Sequence, residues 1–338
     1  MASFEVTSEL YAETDFATTN SANGNSISKF TFTYPCRGEQ LDRQNRKGKK
    51  DMKIDLNQKC CNNGFYERSE SLSSETKLGS VKISNGIADN SENSNKDCVL
   101  ADKDGDLLLE RKRQGVIEIE HQKSTNLNLV GLQIWRGALL LADYILHNEK
   151  KFKNRKILEL GSGVGLTSIV SSFFAREVIC TDINVGGLLE LIKSNITRNS
   201  HLSDPDCNVV VTELDFTVKY EDYSDDLKKL LQDVEYVVTA DVIYDDTITE
   251  AFVLTLENLL LELPKLKGVF IALEKRYVFT LEDMDSVAPS YEHFLRVFYR
   301  RNNRFGITRW KLSQVSLSFP RYFEYEKVKE LVLLKISN

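Results

Sequence analysis

The 338 residues include only 5 prolines, 4 histidines and 6 cysteines. The cysteines, Cys36, Cys60, Cys61, Cys98, Cys180 and Cys207, contain no C-x-x-C pair and no clustered His stands beside them. This spacing excludes an ordinary zinc site, predicts no metal, and reads as reduced thiols. Long apolar runs are also missing. Ala138 to Ala142 falls far short of the ~20 residues that cross a bilayer, and 252–263 is broken by Glu257 and Glu262. The N-terminus carries Glu5, Glu9, Glu13 and Asp15 without a basic start or an apolar core, so no secretory signal of the usual kind is expected. A formal net charge of −6 provides no global attraction for nucleic acid. These absences predict a soluble chain, no membrane association, no direct nucleic-acid binding, and residence in the nucleus, the cytoplasm or both.

The length corresponds to about two domains at ~150 residues each, but the texture divides the chain differently. Residues 1–35 contain short alternation at Phe4–Thr7 and Ile27–Phe32, which predicts a small N-terminal β element. Residues 36–98 are dominated by Asn, Ser, Lys, Asp and Gly, with apolar residues standing singly. Such a segment buries too little to offset its ordering entropy and predicts a disordered insert. The basic run Arg43, Arg46, Lys47, Lys49 and Lys50 lies within it, as a solvated charge run or a nuclear-import signal.

From residue 99 to 338 regular patterning takes over. Leu107–Leu109 and Val116–Glu120 read as two strands joined across a polar turn, and Asn126–His147 has helical spacing. Short apolar runs at 156–160, 177–181, 208–214, 236–240 and 268–273 then alternate with helical segments at 165–175, 186–199, 222–232, 247–262 and 289–301. The alternation predicts an α/β fold, a doubly wound, largely parallel seven-stranded sheet. The last two strands, 307–315 and 329–336, have no helix between them and are expected to pair antiparallel as a terminal ribbon.

The first of these strands runs into Glu159-Leu160-Gly161-Ser162-Gly163-Val164-Gly165. Glycines at the carboxyl end of the first strand let backbone approach a nucleoside. The G-x-G-x-G spacing puts Leu166 where a dinucleotide fingerprint needs glycine, which disfavours a nicotinamide dehydrogenase. Asp182 ends the second strand, where an ionised carboxylate has lone pairs for both ribose hydroxyls. Ser162 lacks the G-x-S-x-G elbow of a hydrolase. The histidines, His121, His147, His201 and His293, are scattered and form no acid–base pair.

The segment Leu132–Gly137, the loop ELGSGVG, Cys180-Thr181-Asp182, Leu214-Asp215-Phe216, Asp241-Val242-Ile243-Tyr244 and Leu273–Arg276 occur in order. In that order they resemble the seven-β-strand S-adenosylmethionine-dependent methyltransferases of the family sixteen protein lysine type, from about residue 105 onward. The resemblance implies a Rossmann-like fold with S-adenosyl-L-methionine as cofactor and a lysine-bearing protein as substrate. It puts Gly161, Gly163 and Gly165 under the methionine portion, Glu159 near its ammonium, Asp182 at the ribose, and Asp215 with Phe216 at the adenine. Many relatives carry Trp where this chain has Phe216. Trp135 is implied to close over the cofactor, with Gln133 and Arg136 as further candidates, and Ala240 to line the pocket. Asp241 and Tyr244 form the D-x-x-Y signature and are the implied catalytic pair. Chaperones or nucleic-acid-associated proteins are candidate partners. Two other readings stay open here: a cofactor-binding scaffold without catalysis, and a methyltransferase acting on nucleic acid or a small molecule. The D-V-I-Y turn lacks the proline of the N-P-P-Y turns that stack a flipped base.

Overall fold

The computed structural model describes residues 5–13, 16–34, 100–101, 107–108, 114–280, 285–304 and 309–337. Met1–Cys36 together with Lys112–Asn338 forms one compact unit, and Arg37–Arg111 a second. In the second unit Leu100–Ala101 pairs antiparallel with Leu107–Leu108. The polar insert 36–98 and its basic run lie outside the described residues.

In the first unit a two-residue strand, Glu5–Val6, pairs antiparallel with Thr125–Asn126 and is followed by the one-turn helix α1 (Leu10–Glu13) and the strands β1 (Thr18–Asn20), β2 (Ser26–Thr33) and β3 (Gln114–His121). The helix α2 (Arg136–His147) precedes the alternation of β4 (Lys156–Leu160), α3 (Leu166–Ser171), β5 (Glu177–Asp182), α4 (Leu188–Arg198) and β6 (Asn208–Glu213). It continues through α5 (Asp225–Leu231), β7 (Tyr236–Ala240), α6 (Asp246–Glu262), β8 (Gly268–Glu274), α7 (Pro289–Asn302), β9 (Lys311–Gln314) and β10 (Leu331–Ser337). A short hairpin, Val278–Thr280 with Asp285–Val287, follows β8.

The seven strands from β4 to β10 form one sheet in the order β6-β5-β4-β7-β8-β10-β9. The first five are parallel. Strand β10 runs antiparallel to both β8 and β9, the expected terminal ribbon. Successive residues of the central strands serve two different cores, as the period of two requires. Ile157, Val178, Val238 and Phe270 pack with α2, α3 and α4 on one face. Leu158, Ile179, Val237 and Val269 pack with α6 and α7 on the other. Burying each such side chain contributes roughly 1.5–3 kcal/mol, which is why these strands read as continuous apolar runs. The chain moves to one side after β4 and returns to the other at β7, so strand order reverses between β4 and β7. The carboxyl ends of those two strands open the crevice in which such sheets bind ligands.

Two expectations are corrected. The partners of Val116–Glu120 and Leu107–Leu108 lie elsewhere, the latter pairing with Leu100–Ala101. Strand β3 pairs antiparallel with β2, from Ser26 opposite His121 to Thr33 opposite Gln114. The N-terminal β element is thereby part of the same unit as the large sheet, and its Phe30, Phe32, Ile117 and Ile119 join the core over α2 to α4. Asn195 of α4 bonds β3, accepting from Glu120 N (2.8 Å), and donates through Nδ2 to Val164 O in the glycine loop (3.0 Å). Second, Asn126–His147 is not one helix. A 3₁₀ turn over Leu127–Leu132 gives way to extended backbone at Gln133–Trp135 before α2 begins. The break is held from outside: Ile134 N donates to the Tyr11 hydroxyl (2.8 Å), and the Gln133 side chain bonds the N-terminal segment. Those bonds replace the helical ones that the apolar spacing alone predicts.

Candidate active site

Strand ends and one wall loop surround a cavity of ≈ 120 Å³. Its floor follows from β4. Gly161 and Gly163 both adopt left-handed φ (62° and 53°), open to glycine at no steric cost. A Cβ on Gly161 would sit 2.5 Å from Val242 Cγ1, and one on Gly163 would sit 3.1 Å from the carbonyl oxygen of Gly131. The loop therefore needs glycine for packing as well as for φ. Gly165 departs from expectation. It is not on the cavity wall but stands at the N-cap of α3, with φ 87°.

Trp135, Glu159, Gly161, Gly163, Asp182, Asp215, Phe216, Ala240, Asp241 and Tyr244 all face this one cavity. Glu159 is buried and accepts from the Ser168 hydroxyl on α3; burial pushes its carboxyl up to about 7. Asp182 takes two backbone donors, Gly163 N at 2.7 Å and Ile183 N at 2.8 Å. Burial outweighs both donors and lifts it to about 6. Asp215 Oδ1 accepts from the backbone N and the hydroxyl of Thr217 (2.8 and 2.7 Å), which fixes the turn carrying Phe216. Phe216 leans on Phe252 of α6, with ring centroids 5.3 Å apart.

On the far wall, Trp135 stands at the N-cap of α2, donates Nε1–H to Val130 O (3.0 Å), and carries the Arg276 guanidinium over its ring at 4.9 Å. Gln133 lines the wall, but its side chain points into the protein. It accepts from Ser8 N (2.9 Å) and donates to Val6 O (2.8 Å) and the Thr125 hydroxyl (2.7 Å). Arg136 is not on the wall and pairs with Glu274 and Glu13. Both side chains bond the N-terminal segment, Gln133 from the cavity wall and Arg136 from behind it.

Asp241 follows β7 with φ 52°, a conformation that Asp tolerates better than most residues. The bend turns its carboxylate toward α2, where Oδ2 accepts from Gly137 N (2.6 Å) and Oδ1 from Glu274 N (2.9 Å). A Cβ on Gly137 would lie 2.4 Å from Oδ2, so glycine there lets the carboxylate approach the helix start. Burial holds Asp241 at about 6, above the usual aspartate range. Tyr244 sits at the mouth, 37% exposed. Partial burial and the nearby charges of Asp182 and Asp245 push its hydroxyl up to about 12, so it stays protonated at neutral pH. Asp245 caps α6, accepting from Ile248 N at 2.9 Å.

A fixed carboxylate and a protonated tyrosine thus face the same cavity as the glycine loop and the Asp182 carboxylate. A family model described as lysine methyltransferase matches residues 112–288. This chain belongs to the lysine methyltransferase family. The chain is similar to human (Homo sapiens) methyltransferase-like protein 22, 36% identical over 252 residues, covering 70% of this chain and 62% of the relative. The mouse (Mus musculus) protein of the same name is 35% identical over 253 residues, covering 70% and 64%. The mouse protein-lysine N-methyltransferase EEF2KMT is 28% identical over 211 residues, covering 61% and 58%. The chain spans less than two thirds of the length of each. S-adenosylmethionine is the family's cofactor, and the cavity suits it: a buried acid for an ammonium, a second acid for ribose hydroxyls, and glycine backbone where side chains would fill the space.

Sequence reasoning missed the wall Asn128–Gly131, Val242 and Ile248, which also line the cavity, and the bracing residues Val6, Ser8, Tyr11 and Glu13. No signal in a single sequence marks the latter, because their partners lie more than a hundred positions away.

Proposed function

We propose that this protein transfers a methyl group from S-adenosylmethionine to the side-chain nitrogen of a lysine in a protein substrate. The observation that carries this reading is that Asp241 and Tyr244 open onto the same cavity as Glu159, Gly161, Gly163 and Asp182. Glu159 would hold the cofactor's ammonium, Asp182 its ribose, and Asp215 and Phe216 its adenine, with Trp135 and Ala240 on the flanking walls. Once bound, the cofactor supplies an electrophilic methyl group on a sulfonium centre.

The chain's own residues handle the lysine. Its ammonium, with an ordinary pKa of ~10.4, must lose a proton before it can attack, which costs about 4 kcal/mol near pH 7.4. Each Asp241 oxygen accepts one backbone hydrogen bond, and a carboxylate oxygen has a further lone pair with which to receive the incoming N–H. Asp241 thus fixes the direction of the nitrogen, which supplies most of the benefit of an intramolecular reaction. Its elevated pKa also narrows the gap to a transferred proton. The Tyr244 ring walls the aliphatic stem, and its hydroxyl accepts a second N–H.

The partner is accordingly a protein that presents a lysine, and chaperones and nucleic-acid-associated proteins are the candidates we favour. The free thiols of Cys180 and Cys207, among the described residues, support a nuclear or cytoplasmic setting. The test is to incubate wild type and Asp241→Ala with methyl-labelled S-adenosylmethionine and cell extract, then locate the label by mass spectrometry. Label on lysine Nζ in the wild-type reaction alone is expected. Equal labelling by both proteins, or label confined to nucleic acid or small molecules, overturns the assignment.

A further inference from the structure

Side chains from three distant parts of the chain meet behind Asp241. The Arg136 guanidinium, only 6% exposed, donates Nη1 to both oxygens of Glu274 (2.7 and 2.6 Å) and Nε to Glu13 Oε2 (3.1 Å). These partners matter because of what sits next to them. Glu274 is the last residue of β8, and its own N–H is one of the two donors to Asp241; Gly137, the residue after Arg136, supplies the other. The Arg136–Glu274 pair therefore spans the two backbone donors and sets the distance between them. Nη1 alone contacts both Glu274 oxygens, while Nε and Nη2 grip the two oxygens of Glu13 as a fork, and a fork of that kind is directional as well as strong. Glu13 completes the fork from the N-terminal segment. That segment is tied down independently, by Ser8 N and Val6 O on Gln133, by the Tyr11 hydroxyl on Ile134 N, and by Glu9 on Arg276 (2.7 Å).

On the reading that Asp241 receives the lysine, we infer that Arg136 and Glu13 are positioning residues for methyl transfer, acting through Glu274 and Gly137 on the Asp241 carboxylate. The segment Glu5–Glu13 then works as a brace for the acceptor side of the site, beyond covering the core. The charged and titratable groups facing Asp241 are Arg136 from α2, Glu274 and Arg276 from the end of β8, Glu13 from α1, and Tyr244 from its own turn. Any test by titration must keep their charges.

Arg136→Lys and Glu13→Asp do so, altering reach and fork geometry alone. In the full chain three quantities are read: kcat on a lysine substrate, the dissociation constant for S-adenosylmethionine by calorimetry, and the titration midpoint of the Asp241 carboxyl carbon by NMR in the cofactor-free protein. Expected are a kcat loss of about tenfold for Arg136→Lys and about threefold for Glu13→Asp, with cofactor affinity within about twofold of wild type. The Asp241 midpoint should rise in both variants, because loosened backbone donors no longer favour the charged form. An unchanged kcat and midpoint overturns the inference. So does a cofactor affinity that falls in step with kcat, the signature of general loosening. Should Arg136→Lys fail to fold, Glu13→Asp decides alone. A wild-type protein that methylates no lysine would overturn the proposed function, while the Asp241 midpoint would still decide the positioning claim.

Discussion

The two halves of the cavity are built in opposite ways. The half assigned to the cofactor comes from consecutive βα units: Glu159 to Gly163 across the end of β4, Asp182 at the end of β5, Asp215 and Phe216 after β6. Each functional group sits at the end of its own strand and is held by neighbours in the same or the adjacent unit, as Asp182 is held by Gly163 and Ile183. The half assigned to the lysine has Asp241 after β7, but its carboxylate is held by Gly137 and Glu274, which are braced by Arg136 and Glu13. A local construction tolerates change elsewhere in the chain, whereas an assembled one transmits it.

Substitutions should separate the halves. Asp241→Asn keeps the shape and removes the charge. A kcat loss of roughly 10²–10³-fold is expected, with cofactor affinity within about twofold of wild type. Steady-state kinetics beside calorimetry checks this, and a comparable loss of cofactor affinity would show that the halves are not separate. Asp182→Ala should do the reverse. It removes charge-assisted hydrogen bonds worth about 1.5–3 kcal/mol each, so the loss of two should weaken cofactor binding by roughly 100-fold or more. Gly163→Ala places a Cβ against the Gly131 carbonyl at a positive φ. It should lower stability by about 1–3 kcal/mol in denaturant unfolding.

The smallest effect concerns pH. Burial places Glu159 at about 7 and Asp182 and Asp241 at about 6, all above their ordinary values. A carboxyl raised in the folded state contributes stability at pH below its unfolded pKa and loses that contribution as pH rises through its folded pKa. The cofactor-free protein should therefore have a lower Tm at pH 8 than at pH 5.5. An ammonium prefers ionised Glu159, so cofactor affinity should fall by up to about tenfold as pH drops from 8 to 6. Asp143, buried on α2 and raised to about 7, accepts from Tyr322 N, Phe323 N and the Tyr325 hydroxyl, away from the cavity. Asp143→Asn should thus reduce the pH dependence of Tm and leave that of cofactor affinity intact. If both change together, the affinity effect does not arise in the cavity.

The cofactor half was legible because its grammar is short-range. A strand, a glycine turn and an acid at the next strand end lie within a few dozen residues, and backbone φ at Gly161 and Gly163 demands the residue type that is present. Gly165 fits the same spacing yet caps a helix off the wall, since spacing alone does not say which glycine a cavity reaches. Asp241 and Tyr244 were legible as a motif, but the left-handed bend that aims Asp241 at α2 was not. The apolar spacing of Asn126–His147 predicted an unbroken helix because periodicity reports burial. The interruption at Gln133–Trp135 is imposed by bonds to Ser8 and Tyr11.

By itself, then, the sequence determined the sheet, its two cores and the residues that meet at the strand ends, because apolar periodicity and glycine placement are local constraints written along the chain. Only the tertiary structure decided that β2 pairs with β3 across the polar insert, that the Gln133 and Arg136 side chains bond the N-terminal segment, and that Glu13 stands behind Asp241. Those facts depend on which distant donors and acceptors come within hydrogen-bond reach, and that distance is defined only once the chain has folded.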